Sequence, residues 1–465
     1  MEIKYLHSII TAIVFLSVFL LPTACDRNAH EGELSLPEGK GGVVVDLQTE
    51  GGTDLPTDNI HLFFFGTDDR LAEHRYYDDP EKMALDVIHL PAGSYTVVSV
   101  LNTGADFMPP SIRATRADLP SVTLSDFADW LKTVADSYPD MLTGLARVQT
   151  ETGDIERIVI TLKAGTEGVR LPVLRLLLTL SGGEMPEYKP QAKSRASETA
   201  YTLRCVAELY IKGTDKLALH RAVNPVQQTD GAYLIELSAT AGEYDLCLWT
   251  DYADSNNSIA DTYYHTESLK AVKINAEPYT ANTDAKDAAY HTQTGINLAE
   301  TGAEIKAALQ RPLAKYRLVA TDVEAYRKLV TQNQAKYPPL DELTVAVRYE
   351  GYFPCGFNVA SEKPNDATAG TGIFYSQSLP ATGSDDDEVQ VAADWVLVNG
   401  TESFVSATVR TTDRSGRVIS ETSGVRIDYR RGFLTTVRGN FLTVGHTGGG
   451  IEIDTEWEGT YEVIF

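Results

Sequence analysis

The chain has 465 residues, 43% of them hydrophobic, enough for two or three domains with real cores. A formal net charge of −25, with no block of Lys and Arg, excludes general affinity for nucleic acid or anionic lipid, because neutralising phosphates takes clustered cations. The same self-repulsion favours a soluble exterior.

Near the start, Lys4 is followed by an uncharged apolar run from Ile9 to Leu21 and then by Pro22-Thr23-Ala24-Cys25-Asp26. A basic start, a short apolar stretch and small residues are the layout of a secretory signal. The run falls short of the roughly 20 apolar residues that a membrane-spanning helix needs, which argues against an uncleaved anchor. Pro-Thr-Ala departs from the Ala-x-Ala pattern of a simple secreted protein. The segment resembles a bacterial lipoprotein signal, with Pro22 where such signals usually carry Leu. That resemblance implies removal of residues 1–24 and acylation of Cys25; an ordinary cleaved signal is the alternative. Each buried methylene adds about 0.8 kcal/mol and two chains suffice for stable attachment, so acyl groups on Cys25 would hold the protein on the outer membrane. Residues 25–40 read as a polar tether.

From Gly41 onward the pattern is β, and it repeats. Ile60-His61-Leu62-Phe63-Phe64-Phe65-Gly66-Thr67-Asp68 is echoed by Ala207-Glu208-Leu209-Tyr210-Ile211-Lys212-Gly213-Thr214-Asp215. Leu71–Arg75 returns as Leu217–Arg221, and Ala92-Gly93-Ser94-Tyr95 as Ala241-Gly242-Glu243-Tyr244. The offset, about 147 residues, is the size of a domain rather than of a solenoid unit. Within the first copy the readings are strands at Ile60–Phe65, Glu73–Tyr77, Met83–Leu90 and Tyr95–Leu101, with turns at Gly-Thr-Asp-Asp and Pro-Ala-Gly. A Tyr two residues after Ala-Gly in each copy is expected to plug the same core corner. Pro312–Leu318 is similar to Pro172–Leu178 as an opening strand, and the hairpin Phe404–Thr411 with Val418–Ser420 follows the same logic, which predicts a third sandwich.

Two helices interrupt this pattern. Phe127, Trp130, Leu131 and Val134 share a helical face within Asp126–Tyr138, with Ser125 as N-cap; Val323, Tyr326 and Val330 do so within Asp322–Lys336, capped by Asp322 or Thr321. Ser181–Ala200 and Glu362–Glu388 read as loops, the latter ending in a solvated Asp385-Asp386-Asp387-Glu388 run. The expected fold class is mostly β: tandem antiparallel Greek-key β-sandwich domains with a few short helices, divided as 41–168, 169–310 and 311–465.

Chemistry is hard to find in the chain. There is no HExxH, no G-x-S-x-G and no P-loop; the nine histidines are scattered, and only His74 and His220 occupy matched positions of the repeat. Cys205, Cys247 and Cys355 cannot all pair with one another, and the alternation around Cys205 and Cys247 puts them on different strand faces, as free thiols. No spacing suggests a metal site or a cofactor. Trp249, Tyr252, Tyr263 and Tyr264 cluster after a strand and form either a sugar-stacking platform or core packing.

The stretches Arg311–Asp322, Gly351-Tyr352-Phe353-Pro354-Cys355-Gly356-Phe357-Asn358 and Tyr429–Thr443 resemble fimbrillin-like lipoproteins, the FimA/FimB-type subunits of type V pili, and the strand, Gly-Thr-Asp, strand, Pro-Ala-Gly-x-Tyr order of the N-terminal part and Met141–Gly144 are similar to them too. The resemblance implies lipoprotein export, assembly into fimbriae on the cell surface, and contact with other fimbrial subunits by β-strand addition, in which a partner strand fills a groove vacated by proteolysis near the first strand. Val43–Leu47 would be that strand. No arginine lies between Arg27 and Arg70, and Lys40 is the nearest basic residue before it. The chain is therefore expected to keep its lipid and to act as an anchor or accessory subunit, not as an enzyme. The rivals are a carbohydrate-binding surface lipoprotein of a glycan-uptake system and a hydrolase on a β scaffold.

Overall fold

Seven strands form the first segment: β1 (Lys40–Thr49), β2 (Ile60–Phe65), β3 (Leu71–Tyr77), β4 (Ile88–Pro91), β5 (Gly93–Leu101), β6 (Leu142–Thr150) and β7 (Ile155–Ala164). They belong to a computed structural model that describes residues 36–50, 59–67, 69–110, 116–181, 200–379, 387–400, 402–443 and 459–463. Cys25, most of the tether, nearly all of Ser181–Ala200 and the first half of the acidic run lie outside the described residues. The strand order is β3-β2-β5-β6 in one layer and β7-β1-β4 in the other, joined by two residue pairs between β6 and β7. All six residues of β2 are buried. Ile60, Leu62 and Phe64 point into the space between the layers, and Phe63 and Phe65 point the other way, against Phe127 and Leu131 of the helix Leu124–Val134. That is why an antiparallel strand here reads as a continuous apolar run: both of its faces are covered.

The second segment runs through β8 (Val173–Leu180), β9 (Tyr201–Ile211), β10 (Leu217–Val223), β11 (Val226–Gln227), β12 (Tyr233–Ser238), β13 (Gly242–Asp254), β14 (Tyr264–His265), β15 (Val272–Ile274), β16 (Ala289–Leu298) and β17 (Ala303–Leu309). Its layers are β10-β9-β13-β16 and β11-β12-β8-β17. The third comprises β18 (Leu313–Ala320), β19 (Thr344–Glu350), β20 (Tyr352–Asn358), β21 (Lys363–Ala369), β22 (Phe374–Ser378), β23 (Val389–Leu397), β24 (Glu402–Thr412), β25 (Val418–Arg430), β26 (Phe433–Gly439) and β27 (Gly459–Val463), layered as β22-β19-β24-β25 and β23-β18-β26-β27. The same strand order thus occurs three times. In each segment the opening strand is central in its layer, antiparallel to one neighbour and parallel to the last long strand: β1 with β7, β8 with β17, β18 with β26. The tandem sandwich architecture read from the sequence is what the chain forms, with these three parallel pairs inside otherwise antiparallel sheets.

The repeated tyrosine does the same job twice. Tyr95 and Tyr244 are both buried, and each hydroxyl donates to the backbone carbonyl four residues earlier, Pro91 at 3.0 Å and Thr240 at 2.8 Å. Each tyrosine locks the entry to an inner strand of its layer, β5 in one segment and β13 in the other.

Several local readings need correction. Met83 lies in a short helix, Pro80–Leu85, because Asp79 caps it by accepting from the Glu81 amide and Pro80 fills the first turn; only Ile88–Pro91 is strand. The helix read as Asp126–Tyr138 is Leu124–Val134, and its N-cap is Thr123, not Ser125. Ser125 is buried and accepts a hydrogen bond from Arg221 instead. Asp322 does sit before the helix Val323–Gln332, but its carboxylate accepts from the Leu442 and Thr443 amides and makes no cap bond. Glu362–Glu388 is not all loop, since β21 and β22 lie within it.

Candidate functional site

The matched histidines hold parallel positions in two different buried contacts. His74 Nε2 lies 3.1 Å from Nδ1 of the fully buried His61, and His220 Nδ1 lies 3.0 Å from Oε1 of the fully buried Glu208. His61 and Glu208 are themselves matched in the repeat, so one polar pair has diverged in chemistry while keeping its place. His61 Nε2 is 2.9 Å from the Gly104 carbonyl and must donate to it, which makes Nδ1 the acceptor from His74. Burial holds the His61 pKa below the ordinary 6.5, against the opposing pull of the Gly104 carbonyl. The folded ring therefore resists a proton that the unfolded chain accepts. Stability of the first segment is expected to be full above about pH 6.5 and to decline as the pH falls below it. Urea unfolding at about pH 7.5 and about pH 5.5 checks this, and His61→Gln should flatten the difference. Among the described residues, no group of three or more His, Cys, Asp and Glu is placed to hold a metal.

The aromatic cluster is core, not platform. Trp249 and Tyr264 have no exposure, and Tyr252 and Tyr263 are buried. Trp249 packs edge-on to Tyr264 with ring centroids 5.1 Å apart, and it meets Phe357 of the third segment at 6.1 Å. Sugar stacking needs an open ring face, so of the two readings of this cluster core packing holds, and the residues on which the carbohydrate rival stood are buried. Cys205 and Cys247 are buried free thiols on opposite faces of their sheet, one in the core of the second segment and one in the core shared with the third; Cys355 is half-buried.

The seam between the second and third segments is the most built part of the molecule. β14 and β15 come from an insertion between β13 and β16, β20 and β21 from an insertion between β19 and β22, and the two insertions pair into one sheet, β14-β15-β20-β21. One continuous apolar cluster runs from Val206 and Trp249 through Tyr264 and Phe357 to Trp395 and Tyr429. Three buried ion pairs reinforce it. Arg204 forms a fork on Asp251 at 2.8 and 2.7 Å and reaches Asp261 at 2.7 Å; Arg311 forks Asp287 at 2.9 Å twice; Lys286 meets Asp394 at 2.9 Å. Sequence reading missed all three. The signal was there in the form of charged residues inside apolar strands, such as Arg204 in Tyr201–Ile211 and Asp394 in Val389–Leu397, because Arg and Asp are almost never fully buried without a partner.

The first segment meets the second through a polar contact. Arg221 bonds Ser125 at 2.8 Å and pairs with Asp126 and Asp129, Arg147 reaches the Ala241 carbonyl, and Thr240 donates to Asp69. A cleft of about 530 Å³ lies along this contact, lined by Ser94, Tyr95 and Arg147 on one side and Thr240, Glu243 and Tyr244 on the other. A second opening, about 660 Å³, lies between the loop Ala276–Asn282 and the end strand β22. Phe374 on β22 is 61% exposed, a single apolar side chain on an edge strand whose outer side has no bonded neighbour strand among the described residues.

A model of a family of unknown function, DUF6562, matches residues 171–464. The chain belongs to this family. The DUF6562 match takes in the second and third segments with their seam and leaves the first segment outside, so the region matched contains the whole of the apolar cluster that the two segments share. No curated protein matches the chain. Among solved structures it is similar to the fimbrial anchor protein Mfa2 from Porphyromonas gingivalis (12% identity, TM-score 0.31, covering 63% of this chain and 95% of that one). Others are a candidate cell adhesion protein from Bacteroides ovatus (10%, 0.33, 63% and 96%) and a candidate polysaccharide-binding protein from Bacteroides thetaiotaomicron (11%, 0.34, 59% and 94%). At TM-scores of 0.31 to 0.34 these similarities carry no argument about this chain.

Proposed function

We propose that this DUF6562 protein is a non-enzymatic surface lipoprotein of the fimbrillin-like kind, held on the outer membrane by acyl chains on Cys25 and serving as an anchor or accessory subunit in fimbria assembly and adhesion. The observation that carries the reading is the seating of β1. It lies between β4 and β7, pairs with β7 over eight residues from Gly42 to Thr49, and sends Val43 and Val45 into the core. A subunit that polymerises by strand addition must first lose such a strand, and between Arg27 and Arg70 the sequence offers Lys40 but no arginine for the cut. A chain that retains β1 has no open groove there and contacts its neighbours with an edge. The three repeats would serve as units 41–168, 169–310 and 311–465 of one anchor or accessory subunit.

The edge best suited to a partner strand is β22, where backbone hydrogen bonds would supply affinity and the opening beside Phe374 a side-chain pocket. Purification of the membrane-bound protein in mild detergent is expected to bring other β-rich subunits with it. Phe374→Lys, an exposed change that leaves the fold intact, is expected to lose them. Recovery of the protein alone from cells that carry fimbriae would contradict the subunit reading.

A further inference from the structure

Lys286 ends a short turn, Asp284–Lys286, in the connection between β13 and β16, and Asp394 lies in the middle of β23. Their side chains are 1% and 0% exposed, and Lys286 Nζ is 2.9 Å from Asp394 Oδ1. The surroundings are unusually ordered for an ion pair. Tyr279 bridges the two groups: its hydroxyl accepts from Lys286 Nζ at 2.8 Å and donates to Asp394 Oδ2. The Tyr349 hydroxyl donates to the same Oδ2 at 2.6 Å, and the Trp395 amide donates to Oδ1 at 2.7 Å. Tyr316 and Tyr375 close the cluster behind Tyr349, at 2.6 and 2.9 Å from hydroxyl to hydroxyl along the chain. We propose that Lys286 and Asp394 condense into an intramolecular amide that ties the second segment covalently to the third.

An amine and a carboxylate do not condense in water because both are charged. A dry site changes that, since burial disfavours each charged form and favours passing the proton from ammonium to carboxylate. Burial lowers the pKa of Lys286, while Asp394 pulls the other way. Tyr279 touches both groups and offers the route for the proton. The neutral amine then attacks Cγ of the protonated carboxyl, forming the C–N bond. The Trp395 amide stabilises the charge that gathers on Oδ1. A proton from nitrogen returns through the Tyr279 hydroxyl to Oδ2, the C–Oδ2 bond breaks, and one water leaves. The balance is one ammonium and one carboxylate giving one amide and one water, with no other reactant. Fixed contact of this kind raises the effective concentration to about 10⁵–10⁸ M when the groups are well oriented.

The neighbouring pairs show why this one differs. Arg204–Asp251 and Arg311–Asp287 are equally buried, but a guanidinium does not give up its proton and cannot act as the nucleophile. Only the lysine pair has both an amine and a bridging hydroxyl.

The test is peptide mapping of the full-length protein after denaturation, and it is independent of any membrane or fimbrial role. The expected result is a branched tryptic peptide joining the Lys286 and Asp394 segments, lighter by one water than its two parts, with no cleavage after Lys286. Free Lys286 and free Asp394 peptides in full yield, even after long incubation of the folded protein, would show an ion pair and overturn the proposal. Tyr279→Phe is expected to keep the fold, judged by circular dichroism, and to reduce the linked fraction at least tenfold at early times. Linkage in that variant at the native rate would overturn the role given to Tyr279.

Discussion

Arg204→Ala is expected to destabilise the unit formed by the second and third segments by about 3–5 kcal/mol. Arg204 rises from the middle of β9, is 1% exposed, and satisfies Asp251 through two bonds and Asp261 through a third. Asp251 also accepts from the Trp249 indole at 3.2 Å. Removing the guanidinium leaves a carboxylate buried without its counter-charge, and burial already pushes Asp251 toward its protonated form. The cost is that of an unpaired buried charge rather than the value of the pair itself. Urea denaturation should show a lower midpoint for the transition of this unit, with the first-segment transition unmoved. A conservative control separates charge from packing: Arg204→Lys keeps the charge but loses the fork, and is expected to recover only part of the loss.

Trp249→Ala has a comparable expected effect, about 3–5 kcal/mol, for a different reason. The ring is fully buried at the seam, against Tyr264 from its own segment and Phe357 from the next. A cavity there loosens both partners, because one apolar cluster serves both. The second and third segments should therefore melt together, earlier than in the native protein. Phe127→Ala is the counterpart, since Phe127 packs with Phe63 and Phe65 in the first segment alone. It should move only the first-segment transition. Calorimetry of the two variants checks both statements, and a Trp249 variant that shifts the first-segment transition instead would contradict the seam.

Much of this architecture can be read from the residues. The repeat at Ile60 and Ala207 marks β2 and β9, and Tyr95 and Tyr244 make the same bond, because local sequence sets both the strand and its plug. Other parts cannot. Lys363–Ala369 is polar and mostly exposed, and it becomes a strand only because β20 offers it an edge. Met83 looks like strand until the Asp79-Pro80 start turns the chain into a helix. The charged residues inside apolar strands were legible, but not which partner each would meet: Lys286 and Asp394 stand 108 residues apart, and they meet at a seam that two far-apart insertions build. The aromatic run at Trp249–Tyr264 was legible as a cluster, but whether it faced solvent or core depended on Phe357, far along the chain.

The proposed role requires a subunit that keeps its lipid and its own first strand. Mass spectrometry of the mature N-terminus, taken from isolated outer membranes, reads both at once. The expected result is an acylated Cys25 continuous with Lys40–Thr49. A mature chain beginning at Gly41 or later, or an unmodified Cys25, would contradict it.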